Sequence, residues 1–167
     1  MQPAKILTQT GVRCCLFGLL AAVFAGGCRS APLRLTVRTI EDTVMLRRNP
    51  MASSFTVTAI ARNDDSRPLL VAMCGMEAQR DIDGTWTTLF TPYCTSWGLN
   101  KVAPGDSVVV PVPVYGYSPA SHTYPLLDPR MGPGRYRVVF GVYLGDPQNP
   151  RGLTVGQAQA STPFIVK

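Results

Sequence analysis

The sequence has little charge and a single histidine. Charged residues make up 16% of the 167 residues, and His122 carries the only imidazole. Low charge together with a hydrophobic content of 46% argues against intrinsic disorder, because such a chain can fill a core. One histidine without a second cysteine pair is too poor a ligand set for a zinc site. The basic residues are scattered, so the clustered stripe of nucleic-acid-binding proteins is missing and we expect no nucleic-acid partner.

Motifs for catalysis are also missing. The serines near His122 do not lie in the Gly-x-Ser-x-Gly turn that presents a hydrolase nucleophile, and no glycine-rich phosphate loop occurs. The acid pairs Asp64-Asp65 and Asp81/Asp83 lie in turn sequences, where Asp bonds to the local backbone. Two carboxylates are too few for a calcium site. We therefore expect a protein that is not an enzyme and that has no cofactor or metal.

A helical architecture is excluded by the distribution of apolar residues. The chain has 15 glycines and 15 prolines, which break helices, and the part after residue 27 shows no convincing helical period of apolar residues. No internal repeat occurs, and the length suits one domain. The sequence therefore predicts an all-β domain whose strands are joined by Pro/Gly turns.

The N-terminal segment has the pattern of a signal peptide. Lys5 and Arg13 occur without an acidic residue, an apolar run follows at 14–25, and small residues precede Cys28. This order is typical of a secretory signal, predicted here as 1–27. The apolar run is too short for an ordinary membrane-spanning helix. An uncleaved apolar anchor and a plain secretory signal remain the alternatives.

The motif Ala25-Gly26-Gly27-Cys28 resembles the lipobox of bacterial lipoproteins, with Ala where Leu is commonest. The resemblance implies cleavage before Cys28 and attachment of lipid, such as palmitate, to its thiol. The protein would then be held on the extracytoplasmic side of the bacterial cell envelope, with 28–32 as a short linker. The mature chain would keep 14 basic and 10 acidic residues, a net charge of +4, and attract acidic lipid or polymer only weakly.

Two cysteines remain for a disulfide after removal of the leader and lipidation of Cys28. Cys74 and Cys94 would lie in an oxidising compartment, where an even number of cysteines favours a bridge. They are equidistant from Gly84 in the hairpin sequence Asp83-Gly84, so they are candidate cross-strand partners. In the chain-entropy model a loop of this size contributes about 3 kcal/mol.

Alternating apolar and polar residues predict a sandwich of about seven strands within 33–167. The runs are 33–38, continued after a bend by the weaker 43–47, then 54–62, 69–80, 85–90, 107–115, 135–144 and 161–167. Pro111 and Pro113 predict that their strand lies at a sheet edge or is bulged. Trp86 is expected to be a core residue. Tyr136, directly after a glycine turn, is expected to form a tyrosine corner, in which the hydroxyl bonds nearby backbone.

The segment 116–134 is predicted to be a long loop and is the candidate surface for binding a partner. It is rich in Pro, Gly and Ser, and with the end of the preceding strand it carries Tyr115, Tyr117, His122 and Tyr124. Tyr- and Ser-rich loops make adaptable contact surfaces, and long loops are often functional. The alternative is that the tyrosines only pack the loop onto the end of the sandwich.

Short motifs of the chain resemble bacterial immunoglobulin-like domains over roughly 33–167. They mark strands and turns, and they are Cys74-Gly75, Gly84-Thr85-Trp86, Pro104-Gly105 and Gly134-Arg135-Tyr136. The resemblance implies an immunoglobulin-like β-sandwich that serves as a binding or structural accessory domain of the envelope, with an unknown protein or polymer as partner. A protease-inhibitor-like module that presents 116–134 is the alternative.

Overall fold

The computed structural model describes residues 33–92, 98–146, 148–149 and 153–167, and their regular structure is almost entirely strand. One 3-10 turn spans Pro119–Ser121. The strands are β1 (Leu35–Thr39), β2 (Thr43–Val44), β3 (Arg47–Arg48), β4 (Ala52–Asn63), β5 (Leu69–Ile82), β6 (Thr85–Phe90), β7 (Leu99–Val102), β8 (Ser107–Tyr117), β9 (Gly134–Leu144), β10 (Thr154–Val155), β11 (Gln159–Ala160) and β12 (Phe164–Val166). The predicted all-β class is confirmed.

β4 is the central strand of the first sheet, which contains β1, β3, β4 and β8. β8 pairs antiparallel along one edge of β4, with Tyr117 opposite Ala52. On the other edge, β1 pairs with the C-terminal half of β4, with Leu35 opposite Asn63, while β3 pairs near the N-terminal end. As a result, β1 begins and β8 ends at opposite ends of β4.

β5 and β9 form the centre of the second sheet, where they pair antiparallel. β6 and β7 pair with the free edge of β5, and β10, β11 and β12 pair with the free edge of β9. β2 adds to β12 in parallel. The expectation that the run 43–47 continues the first strand after a bend is therefore wrong, because this segment crosses from the second sheet at β2 to the first sheet at β3.

The core is formed by the apolar faces that strand alternation predicts. Side chains of β4, β8 and β9 alternate between buried and exposed or half-buried, because successive residues of a strand point to opposite faces. The buried sets are Phe55, Val57, Ala59 and Ala61 on β4; Val110, Val112 and Val114 on β8; and Tyr136, Val138, Phe140 and Val142 on β9. Val108 and Leu144 are half-buried at the margins of the core. These faces confirm the sequence-based assignments.

The edge position of β8 is also confirmed. Apart from an isolated bridge at Tyr117, no described strand pairs with the edge of β8 that faces away from β4. Tyr117 donates its N–H away from β4, to the carbonyl of Pro125 at 2.9 Å. Pro111 and Pro113 lie an even number of residues from Tyr117, so a residue with an N–H there would also direct it to the open edge. The two prolines therefore remove donors from an edge that another strand would otherwise pair with.

The first prediction concerns this edge. Replacing both Pro111 and Pro113 by Thr restores two outward N–H groups on a strand that is otherwise regular. We expect the double variant to self-associate more strongly than the parent as concentration rises, which sedimentation velocity would detect. Pro104→Thr, in an exposed turn, is the matched control. Equal self-association of the parent and the double variant would contradict the role assigned to the prolines.

Candidate functional site

The root of the predicted loop is part of β8 and is packed. β8 extends to Tyr117, two residues beyond its predicted end, so Tyr115 and Tyr117 are half-buried strand residues. The ring of Tyr115 lies 5.5 Å from that of Phe90 and 5.9 Å from that of Tyr117, measured between centroids. Gly116 lies so close to Leu127 that a Cβ would come within 2.7 Å of the Leu127 Cα. The loop therefore begins as a firmly packed structure.

Residues 118–125 form a small lobe that is closed at its base by backbone hydrogen bonds. Tyr117 donates its N–H to Pro125 O and accepts from the N–H of Leu127 at 2.6 Å. Within the lobe, the turn Pro119–Ser121 ends at His122, which has a left-handed φ of 53°. Tyr124 is 73% exposed, and the Tyr124–Pro125 peptide bond is cis. This lobe is the part of the segment that offers side chains to solvent.

Residues 127–134 form the second half of the segment, and they are fixed to the body of the sandwich. Met131 is buried, and Leu127 packs against the core. Arg130 binds Asp128 through two guanidinium bonds, of 3.0 and 2.7 Å. The pKa of Asp128 is lowered, chiefly by the hydrogen bond from Arg130. Residues 127–134 are thus fixed both by the ion pair between Arg130 and Asp128 and by packing against the core.

Two arginines from the two sheets hold this half from outside. Arg48 on β3 donates to the carbonyl of Met131 at 3.1 Å. Arg80 on β5 donates to the carbonyls of Arg130 and of Pro133, the latter at 2.8 Å. Both guanidinium groups bind backbone carbonyls rather than carboxylates, so they fix the path of the chain.

Tyr136 also holds residues 127–134, from inside the core. Its ring is fully buried, and its hydroxyl donates to Gly132 O at 2.7 Å and accepts from Gly132 N–H at 3.1 Å. Burial raises the pKa of the hydroxyl, although the bond to Gly132 and the charges of Arg80 and Arg48 act in the opposite direction. These two bonds confirm the prediction that the Tyr136 hydroxyl bonds nearby backbone.

Position 132 favours a residue without a side chain, because the guanidinium groups of Arg48 and Arg80 lie close to it. A Cβ at Gly132 would lie 3.1 Å from Nη2 of Arg48 and 3.8 Å from Nη1 of Arg80. The first of these distances is tighter than ordinary van der Waals contact. A side chain here would therefore press on the groups that hold the segment.

The expectation that Trp86 lies in the core is wrong. Its ring is half-buried on the outer face of the second sheet, 4.5 Å from the guanidinium carbon of Arg137 and 5.4 Å from that of Arg135. β6 pairs with the end of β5 so that Trp86 lies opposite Asp81, on the outward side. A bulge between Ala78 and Gln79 shifts the register, after which Leu89 and Phe90 are both buried. Those residues, rather than the tryptophan, fill the core from β6.

The outer face around Trp86 carries a network of polar contacts. Arg137 donates to Gln79 at 2.8 Å, and Gln79 donates to Glu77 at 3.1 Å. Arg135 forms an exposed ion pair with Asp81 at 3.3 Å. Cation–π contacts at exposed sites contribute about 0.5–1 kcal/mol each. Arg135 and Arg137 thus cover the ring of Trp86, which lies on the outer face of the sheet and not in the core.

The predicted lipid attachment and disulfide fall partly outside the described residues. Residues 1–27, the linker 28–32 with Cys28, and Cys94 all lie there. Cys74 is half-buried on β5. The lipidation and the bridge therefore stay predictions.

His122 lies at the end of the 3-10 turn in the lobe. It is exposed, and its imidazole forms no hydrogen bond to any described residue. Across the described ranges, no group of three or more His, Cys, Asp or Glu side chains is placed to hold a metal ion. None of the helical structure in those ranges is long and apolar enough to span a bilayer.

Comparisons with known proteins show no family. No family model and no curated protein matches the chain. A crystal structure of a protein from Archaeoglobus fulgidus is similar at 13% identity and a TM-score of 0.35, over 80% of this chain and 96% of that one. Pseudomonas fluorescens alkylpurine DNA glycosylase AlkC, bound to DNA containing an abasic site analogue, is similar at 14% identity and a TM-score of 0.34. The match covers 89% of this chain but 33% of the glycosylase, and at these TM-scores neither likeness carries an argument.

The second prediction concerns the Tyr136 hydroxyl. Tyr136→Phe keeps the ring but leaves the N–H and carbonyl of Gly132 without their buried partner, so we expect a loss of about 1–3 kcal/mol in the free energy of unfolding. Urea denaturation measures this loss. Tyr124→Phe removes an exposed hydroxyl and is expected to stay within about 0.5 kcal/mol of the parent. Equal stability of the two variants would show that the hydroxyl does not hold the segment.

Proposed function

We propose that this chain is a lipid-anchored, extracytoplasmic immunoglobulin-like domain that serves as a non-catalytic binding or structural accessory protein of the bacterial cell envelope. The observation that carries the proposal is the segment 116–134. One half of it is fixed to the core by Tyr136, Arg48 and Arg80, and the other half is a lobe with exposed side chains. A surface held in this way loses little conformational freedom when a partner binds.

Sheet membership supports the immunoglobulin-like part of the proposal. Immunoglobulin-like sandwiches place their A, B and E strands in one sheet and their C, F and G strands in the other. Here β1, β4 and β8 share the first sheet, while β5, β9 and β12 share the second. The position of Tyr136 early in β9 agrees with a tyrosine corner on strand F. The described strands include no D strand beyond β8.

The direction of the strands supports a role for the lobe in reaching a partner. β1 begins beside the C-terminal end of β4, and the loop leaves β8 beside the N-terminal end of β4. The 12 residues of β4 span roughly 36 Å at the usual rise per residue. A linker over 28–32 extends at most about 17 Å. A lipid at Cys28 would therefore tether the chain close in sequence to the start of β1, and the loop that carries the lobe leaves the sheet at the other end of β4.

Strand register supports the proposed Cys74–Cys94 bridge. Near the turn, Gln79 faces Thr88, and beyond the bulge Ala78 faces Phe90. Further along β5, Ala72 faces Leu99 of β7. Residues of β5 on either side of Cys74 therefore pair with residues that flank Cys94 in the sequence.

A protease-inhibitor-like module that presents 116–134 remains the second proposal, favoured by the closed base of the lobe. Proteins that bind peptides by pairing with a strand require an extended backbone. The turn Pro119–Ser121 and the left-handed His122 interrupt such a backbone. The lobe therefore fits an accessory binding role better than that of a substrate-like inhibitor.

The third prediction tests the binding surface by site-specific crosslinking in intact cells. A photoreactive residue at Tyr124 is expected to capture a discrete envelope partner, because this position is exposed on the lobe. Val155 is the matched control, since it is also 73% exposed but lies on β10, which pairs with the C-terminal end of β9. Capture at both positions alike, or at neither, would contradict a binding role for the lobe, and capture of a protease would favour the inhibitor.

The fourth prediction tests the anchor. Cys28→Ala removes the thiol that would carry lipid, so we expect the full chain to keep its leader and to lose the mass of the lipid. Mass spectrometry of the membrane and soluble fractions measures both changes. Cys15→Ala, within the apolar run, is expected to be processed as the parent is. A Cys28→Ala protein with the same mature mass as the parent would contradict lipidation.

A further inference from the structure

The first sheet has a gap in its edge opposite the middle of β4. β1 pairs with β4 from Asn63 back to Ala59, and β3 resumes pairing at Ser54. Between them the chain leaves the sheet, since β2 pairs with β12. The backbone of β4 around Thr56 therefore has no strand partner on this edge among the described residues. We call this place the β4 notch, and it consists of the edge of β4 at 54–56 and the facing residues 44–47.

Hydrogen bonds on either side show that Thr56 turns its backbone groups into the notch. Thr58 accepts from Ile40 N–H at 2.8 Å, and Ala52 accepts from Asn49 N–H at 2.9 Å. Both bonds lie on the β1 and β3 side of β4. Because alternate residues of a strand direct their N–H and C=O to the same edge, those of Thr56 point to this side too.

Thr58 is protected from solvent in a way that Thr56 is not. The carboxylate of Glu41 accepts from the Thr58 N–H at 2.7 Å and from its hydroxyl at 2.9 Å, so a side chain takes the place of the missing strand. Burial opposes ionisation of Glu41, but the bonds from Thr58 outweigh it, and the pKa of the carboxyl is lowered. The unfilled positions of the edge are thus confined to the neighbourhood of Thr56.

The notch opens into a cavity of about 300 Å³, near the lower limit for small-ligand sites. It offers a backbone donor and acceptor from Thr56 and an exposed guanidinium from Arg47. Arg47 has no ion-pair partner within the described ranges. The lining residues are Val44, Met45, Arg47, Ser54, Phe55 and Thr56.

We propose that the β4 notch binds a short extended peptide segment that carries a carboxylate side chain. The backbone of such a segment pairs with Thr56 N–H and C=O as a local addition to the sheet, while its carboxylate binds Arg47. Glu41 lies at the far end of the notch, so a carboxylate is favoured only beside Arg47. The site goes beyond the proposed function, because none of its lining residues belongs to 116–134.

The notch is favoured over β8 as the place where the first sheet takes up a peptide. Pro111 and Pro113 remove outward donors from β8, whereas Thr56 keeps both of its backbone groups. The notch is also short, because β1 and Glu41 close it on one side and β3 on the other. It therefore accepts a few residues rather than a full strand, which restricts the occupant to a local segment.

The fifth prediction uses nuclear magnetic resonance of the isotope-labelled full chain in detergent. The probe is a capped tetrapeptide, threonine-glutamate-valine-threonine, and we expect its addition to shift the Thr56 amide resonance saturably. A glutamine version is expected to bind about threefold more weakly, since an exposed charge pair contributes less than about 1 kcal/mol. Sodium acetate is the small-anion probe. An identical Thr56 shift with acetate would overturn the peptide proposal, as would no saturable shift with the tetrapeptide.

Two variants separate the charge from the backbone pairing. Arg47→Glu is expected to prefer a lysine version of the tetrapeptide, whereas Arg34→Glu, exposed beside β1, is expected to keep the parent preference. Thr56→Pro removes the N–H that faces the notch, so binding to this variant is read from the Arg47 amide resonance, which every version is expected to leave unshifted while the resonances of the rest of the sandwich stay in place. If Arg47→Glu keeps the parent preference, Arg47 does not bind the carboxylate and the proposal fails. These results do not depend on crosslinking at Tyr124, so the notch and the lobe succeed or fail separately.

Discussion

The structure depends most on one side chain, Tyr136, which belongs both to the core and to the long segment before β9. Its ring meets Phe55 of the first sheet at 5.3 Å and Phe164 of the second sheet at 6.2 Å, measured between centroids. Its hydroxyl binds both backbone groups of Gly132. Because aromatic packing fixes the ring, it also fixes the position of the hydroxyl. The backbone of the segment must therefore run close enough for Gly132 to bond that hydroxyl.

This constraint divides the segment into a fixed half and a presented half. Arg48 and Arg80 bind the fixed half from different sheets, so the position of residues 127–134 depends on how the two sheets pack together. The lobe at 118–125 stands on that base, with its own closure at Tyr117. Loosening the core would therefore shift the lobe, so the proposed binding surface depends on the stability of the core.

Local sequence patterns predicted most of the fold, but they could not predict contacts between residues that are far apart in the sequence. Alternation identified the buried faces of β4, β8 and β9, and the glycine turn before Tyr136 identified its corner. Trp86 was misplaced because hydrophobicity alone does not tell which face a hairpin residue takes, and the bulge in the β5–β6 pair decides that. Arg80 and Pro133 are 53 residues apart, and no local signal links them. The β4 notch likewise depends on where β1 leaves its partner.

Backbone hydrogen exchange at Gly132 tests the central claim most directly, namely that the core holds the segment. We expect the Gly132 amide of the full chain to exchange as slowly as the paired amides of β9, because its acceptor is the buried hydroxyl of Tyr136. The Tyr124 amide, in the exposed lobe, is expected to exchange far faster. Slow exchange at Gly132 that is lost in Tyr136→Phe would support the account. Exchange at Gly132 as fast as at Tyr124 in the parent protein would contradict it.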